Sequence, residues 1–294
     1  MNKITITTDS GMDPLDEENM IAALVVKNNK ESFRDVLEIS SKTILREQEK
    51  GDLFRTSSPL LQDYQEKFKE HLENHQDVIH LSMSSGISEG SVNTAHLAAS
   101  SFASQYKNNV YVIDSLTGAT GGTLMNEIAK DMVKQGLSTK EIVTKLENLK
   151  RKIQTAFYVP NPEGFIKSGR NRSEMCLKDK ALLVGANALK LASVKFRVDF
   201  NQEGNLFTKA LMRCKTGVGM LKLVKEIVTK ETLEQYDSAY VVIGTLEEKE
   251  VKMQEVENYL ENFHYFKRII NQNINGVVAA YGSPDLGGIS LVKK

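Results

Sequence analysis

Four short stretches of this chain concentrate hydroxyls, carboxylates and glycine: Thr8-Asp9-Ser10, Thr56-Ser57-Ser58-Pro59, Ser84 to Ser91, and Asp114-Ser115. Hydroxyls and backbone N–H groups donate hydrogen bonds without carrying a formal charge, which suits an acidic group taken out of water. One such cluster is ordinary turn chemistry. Several at the ends of sheet strands form one polar pocket if the fold makes them converge.

A second chemistry competes for the same residues. Gly86-Ile87-Ser88-Glu89-Gly90 fits G-x-S-x-G, the nucleophile elbow of serine hydrolases. The elbow needs its serine on a tight turn directly after a strand, but the apolar run Val78 to Leu81 ends several residues earlier. A hydrolase also needs an acid and then a histidine later in the chain, and the only histidine beyond His96 is His264, in Phe263-His264-Tyr265-Phe266. A hydrolase using Ser88 therefore stays as the weaker alternative. His71 and His75 are spaced i, i+4, yet no glutamate follows His71 and the next histidine, His80, falls in a strand, so no metal is expected. Cys176 and Cys214 cannot build a disulfide framework or a four-ligand zinc site. Neither G-x-G-x-x-G nor a Walker A loop occurs, so no nucleotide cofactor is expected.

The elements that must position these loops alternate in the first half. Ile4-Thr5-Ile6, Val78 to Leu81 and Val110 to Ile113 read as strands, each ending in a polar loop. Ala95, Ala98, Ala99, Phe102 and Ala103 recur at helical spacing. The loop Leu116 to Gly122 opens a helix that stops near Gly136, and Ser138-Thr139-Lys140-Glu141 is a capping box starting another, to about Lys152. Strand–helix alternation predicts an α/β fold with a largely parallel sheet, whose ligands gather at the carboxyl ends of strands.

Phe157 to Pro162 holds two of the five prolines and reads as a domain border. Beyond it, Val194, Phe196, Val198 and Phe200 alternate, Gln202-Glu203-Gly204-Asn205 turns, and a second extended run begins at Leu206, which predicts a hairpin. Tyr240 to Gly244 reads as a strand, Glu247 to Asn262 as a charged helix, and Val277 to Tyr281 as a buried strand ending in the loop 282–288. The expectation is two domains, an N-terminal α/β domain over 1–155 and a C-terminal mixed α/β domain over 156–294.

Composition narrows the classes. The 294 residues include 38 Lys plus Arg and 38 Asp plus Glu, so the formal net charge is zero. That gives no basic excess for nucleic-acid binding. The N-terminus has no long apolar core, and Ala181 to Val194 is too short to span a bilayer, so no transmembrane segment is expected and the protein is expected in the cytoplasm.

In order and spacing, the motifs resemble the DegV family, two-domain bacterial proteins that bind a fatty acid between their domains, and the resemblance covers nearly the whole chain. Thr8-Asp9-Ser10 with Asp13 is similar to T-D-S-x-x-D, and Thr56 to Pro59 to T-S-Q-P with serine for glutamine. Ser84 to Ser91 is similar to S-S-x-L-S-G-[ST], with Glu89 as a one-residue insertion. Val112-Ile113-Asp114-Ser115 matches V-I-D-S, and Ser168-Gly169-Arg170 is similar to G-G-R. Arg213 falls on the arginine of K-x-R, and Tyr281 to Asp285 on H-T-G-P-G. Three positions depart: Tyr281 replaces the histidine, Leu211 the lysine, and Ala192-Ser193 a Lys-Pro pair. The resemblance implies a non-catalytic carrier that binds a long-chain fatty acid in an internal tunnel. Thr56, Ser57 and Ser88 would hold the carboxylate, helped by the N–H groups near Gly90 and Ser91. Arg213 and Tyr281 would contact the head group or a partner. The partner would be a separate fatty acid kinase, which forms an acyl phosphate, and passing membrane contact would fit. A DegV-like binder of another amphipathic small molecule remains a further alternative.

Overall fold

In the computed structural model, residues 3–160, 194–213, 218–246 and 253–294 are described, with Val194, Ala210, Leu211 and Arg213 described as backbone only. The first sheet has the order β2 (Met20–Ile21), β1 (Lys3–Asp9), β6 (Gln76–Ser82), β7 (Val110–Asp114), and every pair in it is parallel. A parallel strand covered on both faces must be buried along its length. From Thr5 to Asp9, β1 is buried at every residue.

One face packs on α2 (Leu61–Glu73) and α3 (Ser85–Ser100), with Tyr64, Phe68, Val78, Ala95 and Phe102 forming the core. The other packs on α4 (Thr120–Lys134) and α5 (Thr139–Leu149), through Ile6, Ile79, Leu81, Met125 and Ile142. The predicted capping box starts α5: the Ser138 N–H donates to Glu141 Oε2 at 2.8 Å.

The second sheet is mixed, in the order β10 (Leu206–Arg213), β9 (Val194–Phe200), β8 (Ile153–Val159), β13 (Gly287–Val292), β11 (Tyr240–Thr245), β12 (Arg268–Asn273). Only β11 and β12 pair in parallel. Helices α6 (Gly219–Ile227) and α7 (Met253–Glu261) cover one face through Leu223, Val224, Val256 and Leu260. Helix α4 is shared between the sheets. Its Met125 packs toward the first, and its Leu124 packs with Tyr240 and Val242 of the second. The predicted hairpin is β9–β10, with Gly204 in the left-handed region (φ 78°). Position 155/156 lies inside β8, whose residues pair with β13 from Ile153 onward.

A third sheet, β4 (Glu31–Arg34), β3 (Leu24–Lys27), β5 (Phe54–Ser57), is antiparallel and was not foreseen from sequence. With α1 (Ser41–Glu49) it joins the second sheet in one apolar cluster, where Val25, Ile44 and Phe54 meet Phe157, Phe196 and Leu246.

The expected strand at Val277 to Tyr281 is instead a short helix, α8 (Gly276–Ala279), followed by a turn. The expected loop 282–288 runs directly into β13 at Gly287. An apolar run this short has no period that separates helix from strand. What decides here is the buried environment at its start, where the Asn275 N–H donates to Asp13 Oδ1 at 3.1 Å. Ser168 to Arg170, Cys176, Cys214, Ala192-Ser193 and the first turns of the helix expected from Glu247 lie outside the described residues. Among the described residues, no helix is long and apolar enough to cross a membrane.

Candidate functional site

Strand β5 carries Thr56 on its half-buried face, while Ser57, next along, is exposed, as the two-residue period of a strand requires. The Thr56 backbone N–H donates to Tyr281 Oη at 2.9 Å, and Thr56 Oγ1 lies 3.2 Å from the same oxygen. Residues 225 apart in sequence therefore share one hydroxyl. Tyr281 reaches it from the turn after α8, and that turn is tied back by Gln48 Nε2, which donates to the Ala280 carbonyl at 3.1 Å.

The second hydroxyl loop sits at the start of α3. Ser84 is the N-cap, its Oγ accepting from the Gly86 N–H at 3.2 Å. Asp114, at the end of β7, occupies the first turn by accepting from the Ser85 N–H (3.1 Å) and the Ser85 hydroxyl (2.5 Å). Then the helix breaks. Ser88 has φ −135° and ψ 68°, so two helical runs meet there and a fresh one begins at Glu89. A break of this kind places a second helix start inside the element, with Gly90 and Ser91 in its first turn. Ser88 Oγ lies 2.7 Å from Ser91 Oγ.

The two loops touch. A Cβ built on Gly90 would lie 2.6 Å from Ser58 Oγ, so glycine is what lets α3 approach β5 this closely. Ser58, at the motif position where the resemblance expects glutamine, is thus a site residue the sequence reading passed over. The hairpin tip closes on the same helix start: the Ser84 hydroxyl donates to the Gly204 carbonyl at 2.7 Å.

Beneath Ser91 lies a polar cluster closed off from solvent. Asp9, at the end of β1, accepts from the Tyr64 hydroxyl (2.6 Å), the Ser82 hydroxyl (2.8 Å) and the Met83 N–H (2.8 Å). His80 Nε2 is 3.3 Å from Oδ1, the oxygen that also accepts from Tyr64, and Thr7 Oγ1 is 3.0 Å from His80 Nδ1. Burial raises the Asp9 pKa, but the attraction of His80 and these hydrogen bonds outweigh it, leaving the carboxyl below its ordinary value. Two further buried acids flank α8. Burial, against the Asn275 bond, drives Asp13 well above the ordinary carboxylate value, with Asp35 nearby adding to it. Burial raises Asp35 to about 6, opposed by the nearby polar groups of Ser10 and of the Val277, Gly276 and Val36 backbones.

Thr56 and Tyr281 thus come together, Ser88 and Ser91 come together, and Gly90 joins the two groups through Ser58. Arg213 ends β10 opposite Val194 by its backbone, and its side chain lies outside the described residues. Ser88 makes its hydrogen bond with another serine, a poor general base, and the histidines that follow it in the chain, His96 and His264, are exposed. His80, the buried histidine of the region, is turned to Thr7 and Asp9. His71 Nδ1 is 2.8 Å from Gln76 Oε1, and no metal-holding group of three or more His, Cys, Asp or Glu occurs among the described residues.

A family model described as "Uncharacterised protein, DegV family" matches residues 3–294. Among curated proteins, a DegV domain-containing protein of Staphylococcus aureus (strain COL) is 30% identical over 175 residues, 58% of this chain and 61% of its own length. One of Streptococcus pyogenes serotype M3 is 27% identical over 252 residues, 82% of each chain. The chain spans about three-fifths of the length of the Staphylococcus relatives. Among solved structures, a DegV family protein from Thermus thermophilus, described by its fatty acid binding, superposes with TM-score 0.81 at 22% identity, covering 100% of both chains. DegV of Bacillus subtilis, described as a fatty acid binding protein, gives 0.78 at 20% identity over 100% of both. The Streptococcus pneumoniae Fatty Acid Kinase (Fak) B3 protein, loaded with linoleic acid, gives 0.79 at 19% identity, covering 99% of this chain and 100% of that one. At these identities the likeness shows the fold.

Proposed function

Because this chain belongs to the DegV family, we propose that it binds a long-chain fatty acid, with the carboxyl end between Thr56 and Tyr281 on one side and Ser88, Gly90 and Ser91 on the other. The observation that carries this reading is the meeting of β5 with the broken helix α3 through Gly90 and Ser58. It gathers hydroxyls and a helix start at one place. Beside it runs the apolar cluster of Phe157, Phe196, Val198 and Leu286, with Phe33, Phe200 and Tyr281 packed at its margin. The acyl chain would lie along this layer. Each buried methylene contributes about 0.8 kcal/mol, so a long chain gains roughly 10 kcal/mol before ordering costs.

On this reading the chain is a carrier without catalysis of its own, divided near 155/156 with the ligand between the two parts, and it presents the carboxyl group to a separate kinase in the cytoplasm. The kinase role is supported by likeness to the pneumococcal protein described as Fatty Acid Kinase B3. Arg213 is assigned to that later step, where a guanidinium gives a transferred phosphoryl group a two-point contact.

Native mass spectrometry of the purified protein tests the reading. The expected result is a mass excess matching one acyl chain, lost on denaturation and identified after solvent extraction. A protein that stays at its apo mass after incubation with fatty acids of several lengths overturns it. Turnover of simple esters abolished by Ser88→Ala would establish the hydrolase instead.

A further inference from the structure

The hydroxyls assigned to the head group already hold one another. Thr56 Oγ1 lies 3.2 Å from Tyr281 Oη, and Ser88 Oγ lies 2.7 Å from Ser91 Oγ. In each pair one proton is committed to the partner oxygen, and Thr56 and Tyr281 have further interactions besides. Ser58 is different. Its hydroxyl takes part in no hydrogen bond among the described residues, and the residue is half-buried.

Strand geometry and the proline that follows aim this hydroxyl inward. Along β5, Thr56 is half-buried and Ser57, the last residue of the strand, is exposed. Pro59 disfavours a helical backbone at the residue before it, so Ser58 stays extended and the alternation carries one residue past the strand. Ser58 therefore returns to the face of Thr56, opposite Ser57. There it meets α3. A Cβ built on Gly90 would lie 2.6 Å from Ser58 Oγ but 3.6 Å from Ser58 Cβ, so the oxygen leads the approach. Gly90 belongs to the first turn of the helical run that restarts after Ser88, where aligned peptide dipoles favour negative charge.

We infer that Ser58, rather than Ser57, is the serine of the β5 loop that donates to the head group, and that it makes the site prefer an ionised carboxylate to an alcohol. The inference rests on the fatty-acid reading and adds to it the residue that bridges the two walls. Thr56 stands on one wall, Gly90 and Ser91 on the other, and Ser58 where β5 meets α3. A carboxylate accepts from Ser58 without breaking a hydrogen bond of the protein. Its charge makes that bond roughly twice as strong as the neutral one an alcohol accepts.

The test is displacement of a fluorescent fatty acid by dodecanoate and by dodecan-1-ol at neutral pH, in wild type, Ser58→Ala and Ser57→Ala. The affinity of the fluorescent probe itself is titrated for each protein. Ser58→Ala is expected to weaken dodecanoate roughly tenfold or more and dodecanol only a few-fold, so the ratio of their affinities falls roughly three- to tenfold. Ser57→Ala should weaken dodecanoate less than Ser58→Ala does. Because Ser58 gives the fold no hydrogen bond, the urea midpoint of Ser58→Ala should stay at the wild-type value, which a structural brace would not allow. An unchanged ratio, a larger loss in Ser57→Ala, or a midpoint that falls in step with affinity overturns the inference. Wild type and Ser58→Ala that bind dodecanoate equally well overturn it too, and leave the fatty-acid reading standing. Wild type that binds neither ligand nor the probe overturns both.

Discussion

Replacing Tyr281 with phenylalanine removes one oxygen and keeps the ring. That oxygen accepts the Thr56 N–H at 2.9 Å and lies 3.2 Å from Thr56 Oγ1. A net hydrogen bond contributes about 0.5–1.5 kcal/mol to stability, and Tyr281 is only half-buried, so water replaces part of what is lost. The expected cost in folding stability is about 1 kcal/mol. Binding should suffer more, because the Thr56 hydroxyl loses the partner that orients it and the ligand loses a neighbour. One to two hydrogen bonds to the head group, about 1–2 kcal/mol, correspond to roughly a five- to thirtyfold weaker Kd. Displacement of a fluorescent fatty acid gives the affinity, and urea unfolding of the same samples gives the stability. Tyr281→His, whose unprotonated ring nitrogen can accept in place of the phenol oxygen, should recover part of the affinity. Wild-type affinity in Tyr281→Phe would refute the placement of the head group at Thr56. A stability loss as large as the binding loss would show that Tyr281 only braces the turn after α8.

Gly204→Ala adds a methyl that overlaps Ser84 Oγ and lies 2.9 Å from the Leu116 Cα, at φ 78°. It should cost about 2–3 kcal/mol in urea unfolding, whereas Gly51→Ala, with φ 100° and nothing within 4 Å, should cost only about 1 kcal/mol of backbone strain. Equal losses would mean that the hairpin tip does not press on α3. Asp35 has a folded pKa of about 6 against an ordinary 3.8. A raised folded pKa means that the unfolded chain ionises first. The penalty is therefore absent below about pH 4, grows through the window up to about 6, and is complete above it. That is about two pKa units, or about 3 kcal/mol. Asp35→Asn should gain stability relative to wild type across that window in pH-dependent urea melts, and parallel curves would refute the assignment.

Much of the first sheet was legible in the sequence, because its signals are local. β1, β6 and β7 are short apolar runs ending in Thr8-Asp9-Ser10, Ser82 and Asp114-Ser115, and α5 begins at a capping box that is complete within four residues. The β9–β10 hairpin is equally self-contained, since alternation and a glycine turn fix its register. The hydroxyl loops were recognisable as candidates from residue type alone. What the sequence could not state is which of them meet. Thr56 and Tyr281 are joined across 225 positions, Gly90 and Ser58 by a contact that only the absence of a side chain permits, and Asp9 and Tyr64 across 55. Nor could it assign Gly276 to Ala279 to a helix, or pair three four-residue strands into the sheet that carries Thr56. Local steric and capping preferences act within a few residues and are written in any short window. Buried polar contacts between distant segments are decided only when packing excludes water, because there an unpaired donor or acceptor is costly and the fold must supply its partner.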